Sequence, residues 1–145
     1  MRQLRRIPAL AVLAALAGAC FAAGPAIAAA PSQGLPTVCL DVQTGDKLIE
    51  AFADRVRQTI AASGALSVGS DPEACKLQLH IPGNLLRFQT AGGVMVSTVV
   101  IVTSPAGRYL STSITACRAN DLEPCAVRAV AAAKLALLMM TNDGA

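Results

Sequence analysis

Few side chains in this 145-residue chain have the types and spacing for chemistry. There is one histidine, His80, and nine acidic residues, of which Asp41, Asp46 and Asp54 lie close together along the chain. A carboxylate beside a histidine is the acid–base part of a hydrolase or lyase site, so these residues define one enzymatic hypothesis. The non-catalytic alternative is that His80 is a surface histidine and that the acidic residues keep the protein soluble, and we adopt this alternative.

Other catalytic and metal-binding patterns are missing from the sequence. It contains no G-x-S-x-G, S-x-x-K, P-loop or G-x-G-x-x-G pattern. One histidine without a neighbouring glutamate motif does not make a catalytic zinc site. Met139 and Met140 lack the further sulfur or imidazole that a soft metal would need. We therefore predict no enzyme, no cofactor and no metal, and we assign no catalytic, cofactor-binding or metal-ligating residue.

The cysteines predict disulfide bonds. Cys20 lies in an apolar N-terminal stretch, and Cys39, Cys75, Cys117 and Cys125 follow it. Four cysteines in an exported small domain indicate two bridges, and three pairings are formally open. Cys117 and Cys125 bracket a short polar loop and form the natural local pair, which leaves Cys39 for Cys75. The loop-length relation gives these bridges about 3 and about 4 kcal/mol respectively, and the alternative is four buried free thiols.

The first residues have the three-part layout of a secretory signal. Three arginines among the first six residues form a positive start, residues 7–21 carry no charge, and Ala26–Ala28 supplies the small residues that a signal peptidase needs. A membrane-spanning helix needs about 20 apolar residues, and this run is shorter and is interrupted by glycine and proline. We predict a signal peptide at residues 1–28.

A second hypothesis for the leader is lipidation. The sequence LAGAC, residues 16–20, resembles the lipobox of bacterial lipoproteins, in which the cysteine is acylated and becomes the first residue. Ala17 stands where that motif has Leu, and the later AIA sequence would be unnecessary in a lipoprotein. Cleavage after Ala28 is therefore the favoured prediction, and a lipid anchor on Cys20 is the alternative.

Cleavage of the leader also changes the charge. The whole chain carries +3, but its first six residues hold three of the twelve basic residues, so nine basic residues then face nine acidic ones. The mature chain is formally neutral and has no basic run, and it retains only Phe52, Phe88 and Tyr109 as aromatic residues. Net charge and aromatic content therefore favour neither nucleic acid nor an anionic membrane as a partner. We predict a periplasmic or secreted protein that binds another envelope protein and does not insert in the membrane.

The hydrophobic pattern predicts a flexible lead-in at residues 29–36 and one small α+β domain at residues 37–145. Strand patterns occur at Thr37–Val42, in ALSV, in KLQLHIP, and in a hairpin of residues 94–117 that turns at SPAG. In the last strand we expect Leu110, Thr112, Ile114 and Ala116 to share one face. The opposite face, which we expect to be wet or lightly covered, carries Tyr109, Ser111, Ser113, Thr115 and Cys117. Helix patterns follow the first strand and the hairpin, with Gly64 and Pro124 at helix ends.

These elements give the order β-α-β-β-β(-β)-α, with the short ALSV strand as the optional one. Two helices packed on one face of a mainly antiparallel sheet would bury both helical apolar stripes at once.

A helix ending in IAASGALSV, then CKLQLHI, a strand pair around SPAG and a last helix are similar to a small bacterial envelope domain. They resemble the N-terminal domain of the TolB translocation protein and the auxiliary lipoproteins of envelope transport systems. The resemblance covers about Leu48 to Leu138, and Cys75 stands near the characteristic Asp of those families. It implies accessory, non-catalytic work in the periplasm and no catalytic residue.

From these observations we predict an exported, disulfide-stabilised accessory or binding domain of the cell envelope. The alternatives are a small secreted hydrolase or lyase that uses Asp and His80, and an exported inhibitor.

Overall fold

The computed structural model describes residues 34–43, 46–83 and 85–142, which belong to one structural unit. The predicted signal peptide at 1–28 and the alternative lipid site at Cys20 lie outside the described residues. The elements are β1 (Thr37–Val42), α1 (Lys47–Ala62), β2 (Ser67–Gly69), β3 (Leu77–Ile81), β4 (Leu86–Thr90), β5 (Gly93–Thr103), β6 (Tyr109–Arg118) and α2 (Glu123–Asn142). This order confirms the predicted α+β class.

The strands of the described residues form one sheet of mixed direction. β1 lies between β2 and β3 and runs parallel to both, whereas β5 is antiparallel to β3, β4 and β6. β6 pairs with one edge of β5 along most of its length. On the other edge, β4 pairs with the first part of β5 and β3 pairs with its last part. Three of the five strand pairings among the described residues are antiparallel, so the sheet is mainly antiparallel, as predicted. The two parallel pairings involve β1, because α1 carries the chain from β1 to a parallel neighbour.

Both helices cover the same face of the sheet and share one core. Apolar residues recur along α1 at helical spacing, and those that are buried are Ile49, Phe52, Ala53, Val56 and Ile60. They pack with alternate residues of β3 and β5 and with a row of mostly small residues on α2. The buried residues of α2 are Cys125, Ala126, Ala129, Val130, Ala133 and Ala136. Because alanine adds little bulk, α2 lies close to α1 and β6.

Strand β6 presents the face opposite to the one predicted. Directly paired residues of neighbouring strands share a face. Cys117 pairs with the buried Val96, while Ile114 pairs with Val99 on the other face and is 72% exposed. The serine and threonine side of β6 therefore faces the helices, because the bond from Cys117 to Cys125 fixes α2 on that side.

Two smaller differences concern the short strands. The sequence pattern predicts no strand at Leu86–Thr90, yet this segment pairs with β5 as the first arm of a hairpin that turns at Ala91 and Gly92. In the ALSV segment Leu66 is buried, whereas Val68 is exposed because β2 lies at the edge of the sheet.

Candidate functional site on the open face of the sheet

The face of the sheet opposite the helices, called the open face below, carries three polar side chains in a row. Asp41 of β1 is directly paired with His80 of β3, so both side chains project from the same face. Thr103 lies on the adjacent strand β5, paired with Gln78, and belongs to the same face by strand alternation. Residues 41, 80 and 103 are distant in sequence and meet only because three strands are neighbours.

Hydrogen bonds join this row into a relay. The Nδ1 atom of His80 lies 2.9 Å from Oδ2 of Asp41, and its Nε2 atom lies 2.9 Å from Oγ1 of Thr103. If Nδ1 carries the proton it donates to the carboxylate, and Nε2 then accepts the hydroxyl proton. The order carboxylate, imidazole, hydroxyl is that of a Ser-His-Asp triad with threonine in place of serine.

The surroundings of Thr103 differ from those of a catalytic nucleophile. Its side chain is buried, and its backbone belongs to the ladder that pairs it with Gln78 and Tyr109. The following amide, that of Ser104, donates to the Arg108 carbonyl. An oxyanion site needs backbone or side-chain donors aimed at the reacting carbonyl, and these amides are aimed elsewhere. The relay therefore acts first as a link between three strands.

The other acidic candidates lie elsewhere. Asp46 is the N-cap of α1, where its carboxylate accepts from the Leu48 amide at 2.7 Å, and it also pairs with Arg87 of β4. Asp54 pairs with Arg57 on the exposed side of α1 at 2.7 Å. The three carboxylates do not share one cleft, because Asp46 and Asp54 belong to α1 and its cap, on the helix side of the sheet. Across the described ranges, no group of three or more His, Cys, Asp or Glu side chains could hold a metal ion.

The four cysteines of the described residues form two disulfides. Cys39 is bonded to Cys75 across 36 residues, and Cys117 is bonded to Cys125 across 8 residues. This is the pairing that the loop lengths favour. The first bridge ties β1 to the segment that enters β3, and the second ties the end of β6 to the first turn of α2. All four residues are buried.

An apolar patch occupies the antiparallel half of the open face. Leu86 and Phe88 of β4 pair with β5, and Ile114 of β6 pairs from its other edge. Leu86 is 67% exposed and Phe88 is 40% exposed, and Met95 and Val99 lie half-buried between them and β6. An exposed apolar cluster of this kind marks an interaction surface. Sequence reasoning missed it because β4 was not recognised and the face of β6 was reversed; the alternation of Leu86 and Phe88 was the available signal.

Comparisons with known proteins show similar solved structures but no family. No family model and no curated protein matches the chain. A minor lipoprotein from Acinetobacter baumannii is similar at a TM-score of 0.39 and 10% identity, with 73% of this chain and 88% of that chain covered. A DUF330 protein from Xanthomonas campestris is similar at a TM-score of 0.48 and 13% identity, with 79% and 91% covered. Both TM-scores are under 0.5, so neither likeness assigns a fold family or a function. The resemblance to the TolB N-terminal domain stays a prediction.

Proposed function

We propose that this protein is an exported, non-catalytic accessory domain of the bacterial cell envelope, periplasmic or secreted, that binds another envelope protein through its open face. The observation that carries the proposal is the pair of disulfides, which uses every cysteine after residue 20. Disulfides persist in oxidising compartments outside the cytoplasm and are rare inside it. The signal-like pattern of residues 1–28 supports the same compartment.

The open face supports binding as the activity. Its apolar patch, formed by Leu86, Phe88, Met95, Val99 and Ile114, lies next to a long edge strand, β6. Soluble proteins usually protect such an edge with charged residues or proline, and residues 109–117 of β6 contain neither. A partner strand added to β6 would gain main-chain hydrogen bonds and would cover Ile114 at the same time.

Site-specific photocrosslinking tests this proposal. A photoreactive amino acid replaces Phe88, Ile114 or, as the matched control, Gln58, which is exposed on α1. We expect one discrete adduct with an envelope protein from positions 88 and 114, none from position 58, and loss of the adduct when Ile114→Lys is combined with the probe at 88. Equal labelling from all three positions, or labelling that ignores Ile114→Lys, contradicts binding through the open face.

The relay of Asp41, His80 and Thr103 favours one second candidate, a small exported hydrolase. The accessory proposal predicts that His80→Ala and Thr103→Ala leave envelope phenotypes and any ester hydrolysis unchanged. His80→Ala should lower the free energy of unfolding by about 1–2 kcal/mol, because two hydrogen bonds are lost and the buried Thr103 hydroxyl keeps no imidazole partner. Denaturant unfolding and hydrolysis of a series of p-nitrophenyl esters measure the two effects. Turnover that disappears in both folded variants would establish the hydrolase.

A further inference from the structure

Helix α2 carries apolar residues on its outward side as well as on its buried side, with the exposed Arg128 beside them. Exposed apolar residues recur along it at spacings of three or four, so they form one stripe: Val127, Ala131, Leu135, Leu138 and Met139. Leu135 is 54% exposed and Leu138 is 62% exposed. A helix on the surface of a soluble domain ordinarily places charged or polar residues at such positions. The outward stripe therefore indicates an apolar partner.

Two adjoining apolar grooves run beside this stripe. One, of about 290 Å³, lies between α1 and α2, and the other, of about 370 Å³, lies between the end of α2 and the loop after α1. Lys134 lines both grooves and is the one charged side chain among the residues that line them. Within the described ranges its ammonium group has no ion pair and no hydrogen bond. The grooves thus combine apolar walls with a half-buried cation that lacks a counter-charge.

The packing of α2 decides how it can meet a lipid bilayer. By length and composition alone α2 could cross a membrane, with a mean hydropathy of 1.5 and 33% of its apolar window buried. Crossing would strip its alanine face from the core and is opposed by the bond from Cys125 to Cys117. A helix held in this way can lie on a bilayer with its outward side in the interface, while a long lysine side chain reaches the head groups.

We propose that the outward side of α2, with Lys134, rests on a bilayer surface that contains anionic phospholipid. A phosphate head group would complement the charge of the Lys134 ammonium group at the edge of the apolar stripe. The stripe extends beyond the grooves, so a planar apolar boundary covers it more fully than a single acyl chain would. The local charge of the helix, and not the neutral net charge, provides the attraction.

Single-tryptophan variants of the full chain test this inference, because the natural sequence has no tryptophan. Leu138→Trp reports on the stripe, and Ile114→Trp, at an equally exposed apolar position on the open face, is the matched control. We expect vesicles containing phosphatidylglycerol to shift the emission of Leu138→Trp to the blue, and brominated lipid to quench it. Neither change should occur for Ile114→Trp. Circular dichroism and thiol counting verify that both variants are folded and bridged.

The same samples identify the outcomes that overturn the inference. Equal responses from both variants would show that lipid contact is not specific to α2, and no response from Leu138→Trp would remove lipid as the partner. A blue shift that rises with protein concentration in the absence of vesicles would assign the stripe to a second copy of the chain.

A charge-specific variant provides an independent arm. Lys134→Gln should weaken binding to phosphatidylglycerol vesicles about fivefold relative to wild type, while Lys76→Gln, at an exposed loop position, leaves binding unchanged. Equal weakening by both variants would contradict a specific contact at Lys134.

Discussion

At the scale of single residues, the polar row of Asp41, His80 and Thr103 on the open face links three strands through one imidazole ring. The alternation of KLQLHIP places His80 on the polar side of a strand, and the structure places it there. Its partners could not be predicted, because Asp41 and Thr103 are reached only through the register of three strands. Both ring nitrogens of the partly covered His80 have hydrogen-bond partners, one in Asp41 and one in Thr103. The surface-histidine prediction therefore had the right face and missed both partners.

Gly69 offers a prediction at this scale. A methyl group at this position would meet the side chain of Thr37 and would lie 2.7 Å from Sγ of Cys75, inside the space of the Cys39–Cys75 bridge. We expect Gly69→Ala to lower the free energy of unfolding by about 1–3 kcal/mol, as overpacking does elsewhere. Gly34→Ala, where nothing lies within 4 Å, is the control and should be neutral. Guanidinium unfolding measures both variants, and equal stabilities would show that the bridge region can relax around the added methyl group.

At the scale of elements, periodicity predicts β1, α1, β3, the hairpin of β5 and β6, and α2. Periodicity fails to predict the buried face of a strand whose two faces are similar in apolar content. In β6 the apolar residue Ile114 suggests an inward face, but the opposite face carries Cys117, and its bridge to α2 determines which side is covered. In β4 every residue is exposed, so burial does not distinguish the two faces of this strand, and the short alternation of Leu86 and Phe88 is the available sequence signal. Both failures fall on the open face, which is the surface that we propose for binding.

The two bridges make different predictions for the elements that they join. Cys39→Ala with Cys75→Ala should cost about 4 kcal/mol, and Cys117→Ala with Cys125→Ala about 3 kcal/mol, because the first bridge closes the longer loop. Hydrogen exchange should localise the second loss to the first turn of α2 and the end of β6. Unfolding under reducing conditions is the control, since the wild type then loses both contributions together and each double variant loses only the one that remains. Unchanged hydrogen exchange at α2 in the Cys117→Ala, Cys125→Ala variant would contradict the prediction that this bridge stabilises the first turn of α2.

At the scale of the whole molecule, one domain presents two separate apolar surfaces. The helices bury one face of the sheet, the open face keeps a patch around Phe88 and Ile114, and α2 keeps its outward stripe. Composition alone indicates a high apolar content, at 54% of the whole chain, but cannot say where it lies. Two bridges and two apolar surfaces suit the proposed envelope protein, with one surface for a partner and one for a membrane, so the proposed function depends on the compartment.

The intact mass of the native protein, isolated from its source with and without reduction and alkylation, tests the compartment most directly. We predict a chain that starts at residue 29 and takes up alkyl groups on Cys39, Cys75, Cys117 and Cys125 only after reduction. A chain that starts at Cys20 and carries acyl mass would keep the envelope location and replace the signal peptide with a lipid anchor. A full-length chain in the cytosol, alkylated at those four cysteines without reduction, would contradict export and the proposed function with it.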